Sequence, residues 1–461
     1  MDSAALEPLQ QLADAVGSAF DLSPLTVDSS PTAIAGPLPI ADIASATFAA
    51  LGLALEAFHH ARGGPHQQVE ISRRHASLGM RSADFLEIDG VAPKAWDPLT
   101  GYYKTGDQRW VYLHANFPHH RDGLLTLLGC AAERAAVVAA VQTWDAEPFE
   151  QTASDAGLCV GVLRTREAWW QHPQRIALDE QPVIALAEQH ARAKRQLAVG
   201  EQPLSGVRVL DLSRVLAGPM AGRALAEHGA TVLRVGADHL PVSKPLTIDT
   251  GYAKQSCHLD LRTDAGKAEL ASLLETADVL IDGFRPGALD AHGLSRAALQ
   301  ARYPDLIHIS LSAYSDRGPW AGRRGFDSLV QAPTGLARAP ADGSDPVRLP
   351  CQPLDYLTGC LGAFAAVHAL TRRQTEGVAC SADLALARTA NWLHNVHDLI
   401  GDASDAPGQN TPRSELGAFL MTTQSPFGTL ESLAPPLTLS RTPWRWRAPQ
   451  PLGSHAPVWP T

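Results

Sequence analysis

Apolar positions along this chain follow two rhythms. From Gly206 onward, short runs dominated by apolar and branched residues are separated by segments in which apolar positions recur every three or four residues. Residues 207–212, 231–235, 277–284 and 306–311 follow the first rhythm and are predicted strands. Residues 217–228, 263–276 and 295–302 follow the second and are predicted helices. Their punctuation agrees: Thr263 stands where a helix cap is wanted, Gly229 follows one helix and Pro304 another. Continuous apolar strands alternating with helices mark a parallel sheet covered on both faces. Residues 203–315 are therefore read as a doubly wound α/β unit.

Beyond this unit, a long apolar helix is expected over 356–372, opened by Asp355 and closed by a break at Gly377. A further helix is expected over 382–397. Residues 401–415 are polar and rich in turn formers, and 435–461 carry too much proline for a helix, so that tail is expected to lie extended. The stretch beginning at Pro37 runs parallel to the one beginning at Pro350. Each has a proline, then an aspartate (Asp42, Asp355), a long Ala/Leu helix, a basic end, a glycine turn, a short strand and another helix. This is either a partial internal duplication or two unrelated amphipathic helices that each use aspartate as an N-cap. Residues 100–185 read as a small α+β unit. The expected layout is an N-terminal arm and partial repeat (1–99), the small α+β domain (100–185), a linker (186–202), the large α/β domain (203–400), and a linker with a Pro/Trp-rich tail (401–461).

Composition narrows the function. A net charge of −10 argues against nucleic acid as the main partner. Six widely spaced cysteines form no Cys-x-x-Cys pair, which points to a reducing, cytoplasmic setting rather than a disulfide framework or a metal site. The first residues lack a basic region followed by an apolar core, and no apolar run is read as a membrane span. The pairs His59-His60 and His119-His120 have no third ligand at useful spacing and are expected at the surface. No metal is expected.

Three places carry candidate chemistry. Asp355 stands at the start of an apolar helix, where the backbone dipole favours an ionised carboxylate, although aspartate there is commonly only a cap. The turn from Val215 through Leu216 to Pro219 leads a strand into a helix, and its small residues allow close backbone approach by an anion. The loop Asp282-Gly283-Phe284-Arg285-Pro286-Gly287 ends a parallel strand, where open α/β sheets bind ligands.

Taken together, residues 203–236 (PLSGVRVLDLSRVLAGPMAGRALAEHGATVLRVG), the 282–287 loop, the 312–335 segment and the run 346–359 (PVRLPCQPLDYLTG) resemble the family III CoA-transferases. The resemblance covers residues 203–393 continuously, with the small domain and tail in shuffled order. It implies an α/β CoA-binding domain with a smaller α+β domain, a coenzyme A thioester as substrate with no permanently bound cofactor, and a small carboxylic acid as the other reactant. It also implies a homodimer. Asp355 then matches the catalytic aspartate, and Val215, Leu216, Lys254, Phe284 and Arg285 match positions that contact CoA. Asp42 holds the equivalent place in the first copy. Gln255 replaces a family arginine and Gly251-Tyr252 replace an Asn-Arg pair, so the basic side of the CoA site is expected to be thinned. The racemase branch carries histidine in a Gly-His-Asp triplet. Here the triplet is Gly325-Phe326-Asp327, and phenylalanine cannot move a proton. The leading expectation is CoA transfer through an aspartyl intermediate. The alternatives are an acyl-CoA-binding protein without turnover and, less favoured, a CoA-thioester racemase or isomerase.

Overall fold

Seven strands form the central sheet of the computed structural model, which describes every residue except 1, 2, 95, 191–195, 341, 342, 404 and 461. In chain order they are β1 (Ala185–His190), β2 (Arg208–Asp211), β3 (Thr231–Gly236), β4 (Gln255–His258), β5 (Val279–Asp282), β6 (Ile307–Ser312) and β7 (Val378–Ala385). Their spatial order is β4-β3-β2-β5-β6-β7-β1. All neighbours are parallel except β1, which runs antiparallel to β7 at the edge. The chain thus builds outward from β2 to β4, then returns to the other side of β2. The reversal falls between β2 and β5, and a crevice opens there beyond the strand ends.

Four helices bear on the site: α1 (Ile40–Ala61), α2 (Ala217–Glu227), α3 (Asp327–Gln331) and α4 (Pro353–Glu376). Helix α4 packs against both α1 and α2, and all three share one hydrophobic cluster with the sheet. The α2–α4 approach is close enough to require glycine. A Cβ at Gly359 would lie 2.4 Å from the Ala217 carbonyl oxygen. By length and composition α1 and α4 could each cross a membrane, contrary to the expectation that no segment reaches that standard. Both are core helices here, with 94% of the apolar window buried.

Helix α4 starts three residues before its expected first residue, because proline at its first position loses no hydrogen bond there. Asp355 is therefore a first-turn residue and not the cap. The helix ends at Gly377, whose φ of 75° is the left-handed conformation that stops it. The helix expected from residue 382 starts later, at Leu386, and runs to Ile400. Residues 382–385 instead belong to β7, held between β6 and β1. Strand β1 likewise occupies the beginning of the segment expected to be a linker; residues 191–195 of that segment lie outside the described residues.

The two aspartate helices share an element order. Each is followed by a strand, Val69–Ile71 or β7, and another helix, Arg73–Gly79 or Leu386–Ile400. Only β7 joins the central sheet. Val69–Ile71 pairs with Leu25–Val27 and with Leu437–Leu439 from the tail. Residues 100–185 contain an antiparallel sheet of Gly101–Lys104, Trp110–Leu113 and Val160–Val162, with helices on it. The tail is extended and anchored by its tryptophans: Trp446 stacks on Tyr252 at 4.0 Å, and Trp459 donates its indole N–H to the Leu273 carbonyl. A hairpin, Leu420–Ser425 with Gly428–Leu433, has no counterpart in the sequence expectations.

Candidate active site at the sheet reversal

Segments leaving β2, β5 and β6 meet at the reversal and enclose a cleft of about 290 Å³. Arg214 through Gly218 come from the β2–α2 turn, Phe284 and Arg285 from the loop after β5, and Arg323–Phe326 from the segment before α3. The small unit contributes Phe117, His119 and His120, and Asp355 lies in the wall. Four of the expected CoA contacts, Val215, Leu216, Phe284 and Arg285, thus meet in one place with the expected nucleophile.

The turn is tightly built. Val215 has φ 72°, a left-handed conformation that a β-branched residue adopts only when its surroundings enforce it. Leu216 is buried and precedes the first residue of α2. A Cβ at Gly218 would come within 2.2 Å of the Ser213 Cβ, so the strand and the helix can meet this closely only through glycine. First-turn N–H groups of α2 have no acceptor within the helix, which favours an anion at this end.

Asp355 is 8% exposed. Its backbone N–H donates to Oδ2 of Asp327 at 2.9 Å. Burial pushes the Asp327 carboxyl up to about 6, against hydrogen bonds from the Asp355 and Leu354 amides and from Gln331. Burial, and then the Asp327 charge, push Asp355 well above the ordinary carboxylate range, while the Asp327 amide pulls the other way. The helix start was expected to favour the ionised form of Asp355; here desolvation and a like charge oppose it. Asp327 caps the first turn of the helix that carries Asp355.

Lys254 departs from expectation. It does not line the cleft; it is buried and donates to Asp211 Oδ2 at 2.9 Å and to the Pro219 carbonyl at 2.5 Å. Burial pushes its ammonium down, with Asp211 opposing. An internal ion pair already uses its charge.

The cleft is nonetheless cationic. Arg214, Arg285 and Arg324 line it, and among the described residues none has a carboxylate partner. Burial and neighbouring guanidinium groups push Arg214 and Arg285 down. The Arg324 Nη1 donates to Nε2 of His120 at 3.2 Å, which leaves the His120 proton on Nδ1. Burial pushes His120 down to about 3, so the ring is neutral. His120 and His59 are buried, which corrects their expected surface placement. Arg214 and Arg324 were missed in the sequence, although each sits next to a quoted motif: Arg214 precedes Val215, and Arg324 precedes the Gly325-Phe326-Asp327 triplet. They offset the thinning expected around Lys254. In the triplet, Phe326 stacks on His114 at 3.9 Å and carries no titratable group.

The equivalent aspartate in the first copy is engaged elsewhere. Asp42 accepts a bidentate pair from Arg73, at 2.7 and 2.8 Å, and Arg73 also donates to Asp405.

A parallel sheet whose reversal point sets a buried carboxylate among unpaired arginines is an α/β protein suited to bringing an anionic ligand against an acid group. The chain belongs to CoA-transferase family III, whose pattern it matches over residues 14–196 and 204–423. It is similar to a probable fatty acyl-CoA transferase of Mycobacterium tuberculosis, with 35% identity over 225 residues, 45% of this chain and 57% of that protein. It is 32% identical over 233 residues to the succinyl-CoA–L-malate CoA-transferase alpha subunit of Chloroflexus aurantiacus, covering 47% and 54%. Among solved structures, a hypothetical protein from Mycobacterium tuberculosis matches at 34% identity over 43% of this chain and 57% of that one, with a TM-score of 0.40. A CAIB/BAIF family protein from Brucella suis matches at 26% identity over 50% and 65%, with a TM-score of 0.39. The chain spans little more than half the length of the curated relatives it matches.

Proposed function

We propose that this protein moves coenzyme A from an acyl-CoA thioester to a carboxylic acid, with Asp355 as the nucleophile. The observation that carries the reading is the position of Asp355 in the wall of a cleft lined by three unpaired arginines at the sheet reversal. Family membership and relatives named as CoA-transferases support it.

Each step exchanges one acyl bond for another. A carboxylate oxygen of Asp355 attacks the thioester carbonyl and expels CoA thiolate, leaving a mixed anhydride. The thiolate attacks the aspartyl carbonyl of that anhydride and releases the first acid as its carboxylate, leaving an aspartyl-CoA thioester. The incoming carboxylate attacks the same aspartyl carbonyl and again expels thiolate, forming a second anhydride. Attack of the thiolate on the new acyl carbonyl gives the product thioester and regenerates the Asp355 carboxylate. No net proton transfer is needed, which agrees with the neutral His120 and the proton-inert Phe326.

Arg214, Arg285 and Arg324 supply the cationic groups that a CoA phosphate requires. The first-turn residues of α2 line the same cleft and give it an anion-favouring end. The test is CoA exchange between acyl-CoA donors and a panel of acids, combined with mass analysis of a trapped Asp355 adduct. Exchange with the adduct at Asp355 is the expected result. Exchange that survives Asp355→Asn, or an adduct elsewhere, overturns the reading.

A further inference from the structure

A cavity of about 370 Å³ lies apart from the arginine cleft and shares no lining residue with it. Three elements wall it: the helix Ser3–Ala15, the helix Pro173–Leu178 with the turn after it, and the helix Leu386–Ile400. Arg388, Asn391 and Asn395 stand at positions i, i+3 and i+7 of the last helix, so they share one face, and Gln11 joins them from the first.

Arg388 is 3% exposed, and among the described residues no carboxylate pairs with it. Two of its five N–H groups are used: Nη1 donates to the Pro182 carbonyl at 3.0 Å and Nη2 to the Asp383 carbonyl. Its Nε is buried without a partner. The Asp383 carboxylate is taken by both Nη groups of Arg296. Burial pushes the Arg388 guanidinium down to about 10, with Asp383 and Asp316 opposing, so it keeps its charge at neutral pH. A buried charge without a counter-ion is costly, and an anion from solution reduces that cost.

The amides beside it are turned to donate. An indole N–H has no acceptor capacity. Trp169 gives its N–H to Oδ1 of Asn391, and Trp392 gives its N–H to Oε1 of Gln11, both at 2.8 Å. Each amide oxygen is thereby consumed, and among the described residues neither NH₂ group has an acceptor. The two acids of the cavity are exposed and engaged: Asp14 accepts the Gln10 side-chain amide, and Asp179 accepts Arg175, whose guanidinium also lies 4.6 Å from the Trp170 ring centre. What stays unspent is one cation and a set of amide donors, which suits a ligand that only accepts.

We propose that this cavity binds a small oxyanion, a phosphate or a carboxylate, held by Arg388 and the side-chain amides of Asn391 and Gln11. A neutral ligand of the same size leaves the guanidinium uncompensated, and a cation is repelled by it.

The test is calorimetric titration of the whole protein with inorganic phosphate and, separately, with acetate, at constant ionic strength. The tighter of the two identifies the class of oxyanion. Asn391→Asp and Gln11→Glu keep the oxygen that each indole needs and replace the NH₂ donor with a carboxylate oxygen. Each is expected to weaken binding about tenfold or more, the worth of one hydrogen bond to a charged group. Asn395→Asp, at an exposed position, is expected to weaken it in the same direction, and thermal midpoints without added anion check that all three fold. Arg324→Ala, which alters the arginine cleft instead, is expected to leave this binding in place. No saturable binding of either anion overturns the proposal, as does an affinity unchanged in both Asn391→Asp and Asn395→Asp. Binding lost in Arg324→Ala overturns it too, because the anion then sits in the cleft.

Discussion

The carboxylate of Asp327 accepts the backbone N–H of Asp355 at 2.9 Å, and the amide of Asp327 in turn stabilises the Asp355 carboxylate. Each residue thus lends its backbone to the charge of the other, while the two charges repel. One proton is most easily accommodated between them. The proposed nucleophile is held in place by the same neighbour that opposes its ionisation.

That opposition sets a pH dependence. Attack needs Asp355 ionised, and its carboxyl is held above the usual range, so kcat/KM is expected to rise with pH. In Asp327→Asn the like charge is gone, and Asp355 ionises more readily. The rising limb then moves to lower pH, which a pH–rate profile of the two proteins reads directly. An unshifted limb would show that Asp327 serves only as a cap.

Asp355→Asn is expected to abolish exchange, by on the order of a thousandfold or more, and to raise thermal stability. The sign follows from the raised carboxyl. A group whose folded pKa lies above its unfolded value contributes stability while protonated and loses it as pH rises. Asparagine resembles the protonated form and does not lose it. The gap in Tm between variant and parent therefore widens as pH climbs above about 4, where an unfolded aspartate ionises. Calorimetry at several pH values checks this, and a gap that narrows would contradict the burial argument.

Asp42 gives the opposite outcome. Arg73 grips it through two hydrogen bonds and ties it to Asp405, far along the chain. Asp42→Asn is expected to cost roughly 1–3 kcal/mol of stability, since it weakens a largely buried pair. Exchange activity per folded molecule is expected to remain. Denaturant titration and a CoA-exchange assay separate the two effects, and a loss of turnover in the folded variant would give Asp42 a part in the chemistry.

What the sequence made legible follows from periodicity. Strands β2 and β5 sit in runs dominated by branched apolar residues, and β6 alternates Ile307, Ile309 and Leu311 with polar positions, patterns that a strand satisfies. Asp355 was legible as a helix-start residue, though Pro353 extends the helix past it. Residues 382–385 were read as helix because Ala382, Asp383, Leu384 and Ala385 carry no period of two; only their pairing with β6 and β1 makes them a strand. Arg214 and Arg324 stand on loops, where no repeat marks position, and they converge only because the chain reverses between β2 and β5. Lys254 was misplaced for a related reason: its partner Asp211 is 43 residues earlier, beyond any local pattern.

Lys254 and Arg324 separate structure from ligand binding. Lys254 is sealed against α2, and its loss leaves Asp211 buried with an uncompensated charge. Lys254→Met is expected to cost about 3–5 kcal/mol. Adding Asp211→Asn removes that charge and restores part of the loss, so the double variant is more stable than Lys254→Met alone. Arg324 sits in the open cleft without a carboxylate, and Arg324→Ala is expected to leave stability nearly unchanged. It weakens the binding of a CoA thioester instead, and flattens the fall of affinity with salt, because one cation fewer faces the phosphates. Lys254→Met, measured on the folded fraction, keeps the parent's salt slope. Denaturant titration of the three variants and thioester binding at several ionic strengths decide the matter. A salt slope that falls with Lys254→Met and not with Arg324→Ala would return the lysine to the ligand site and remove the arginine from it.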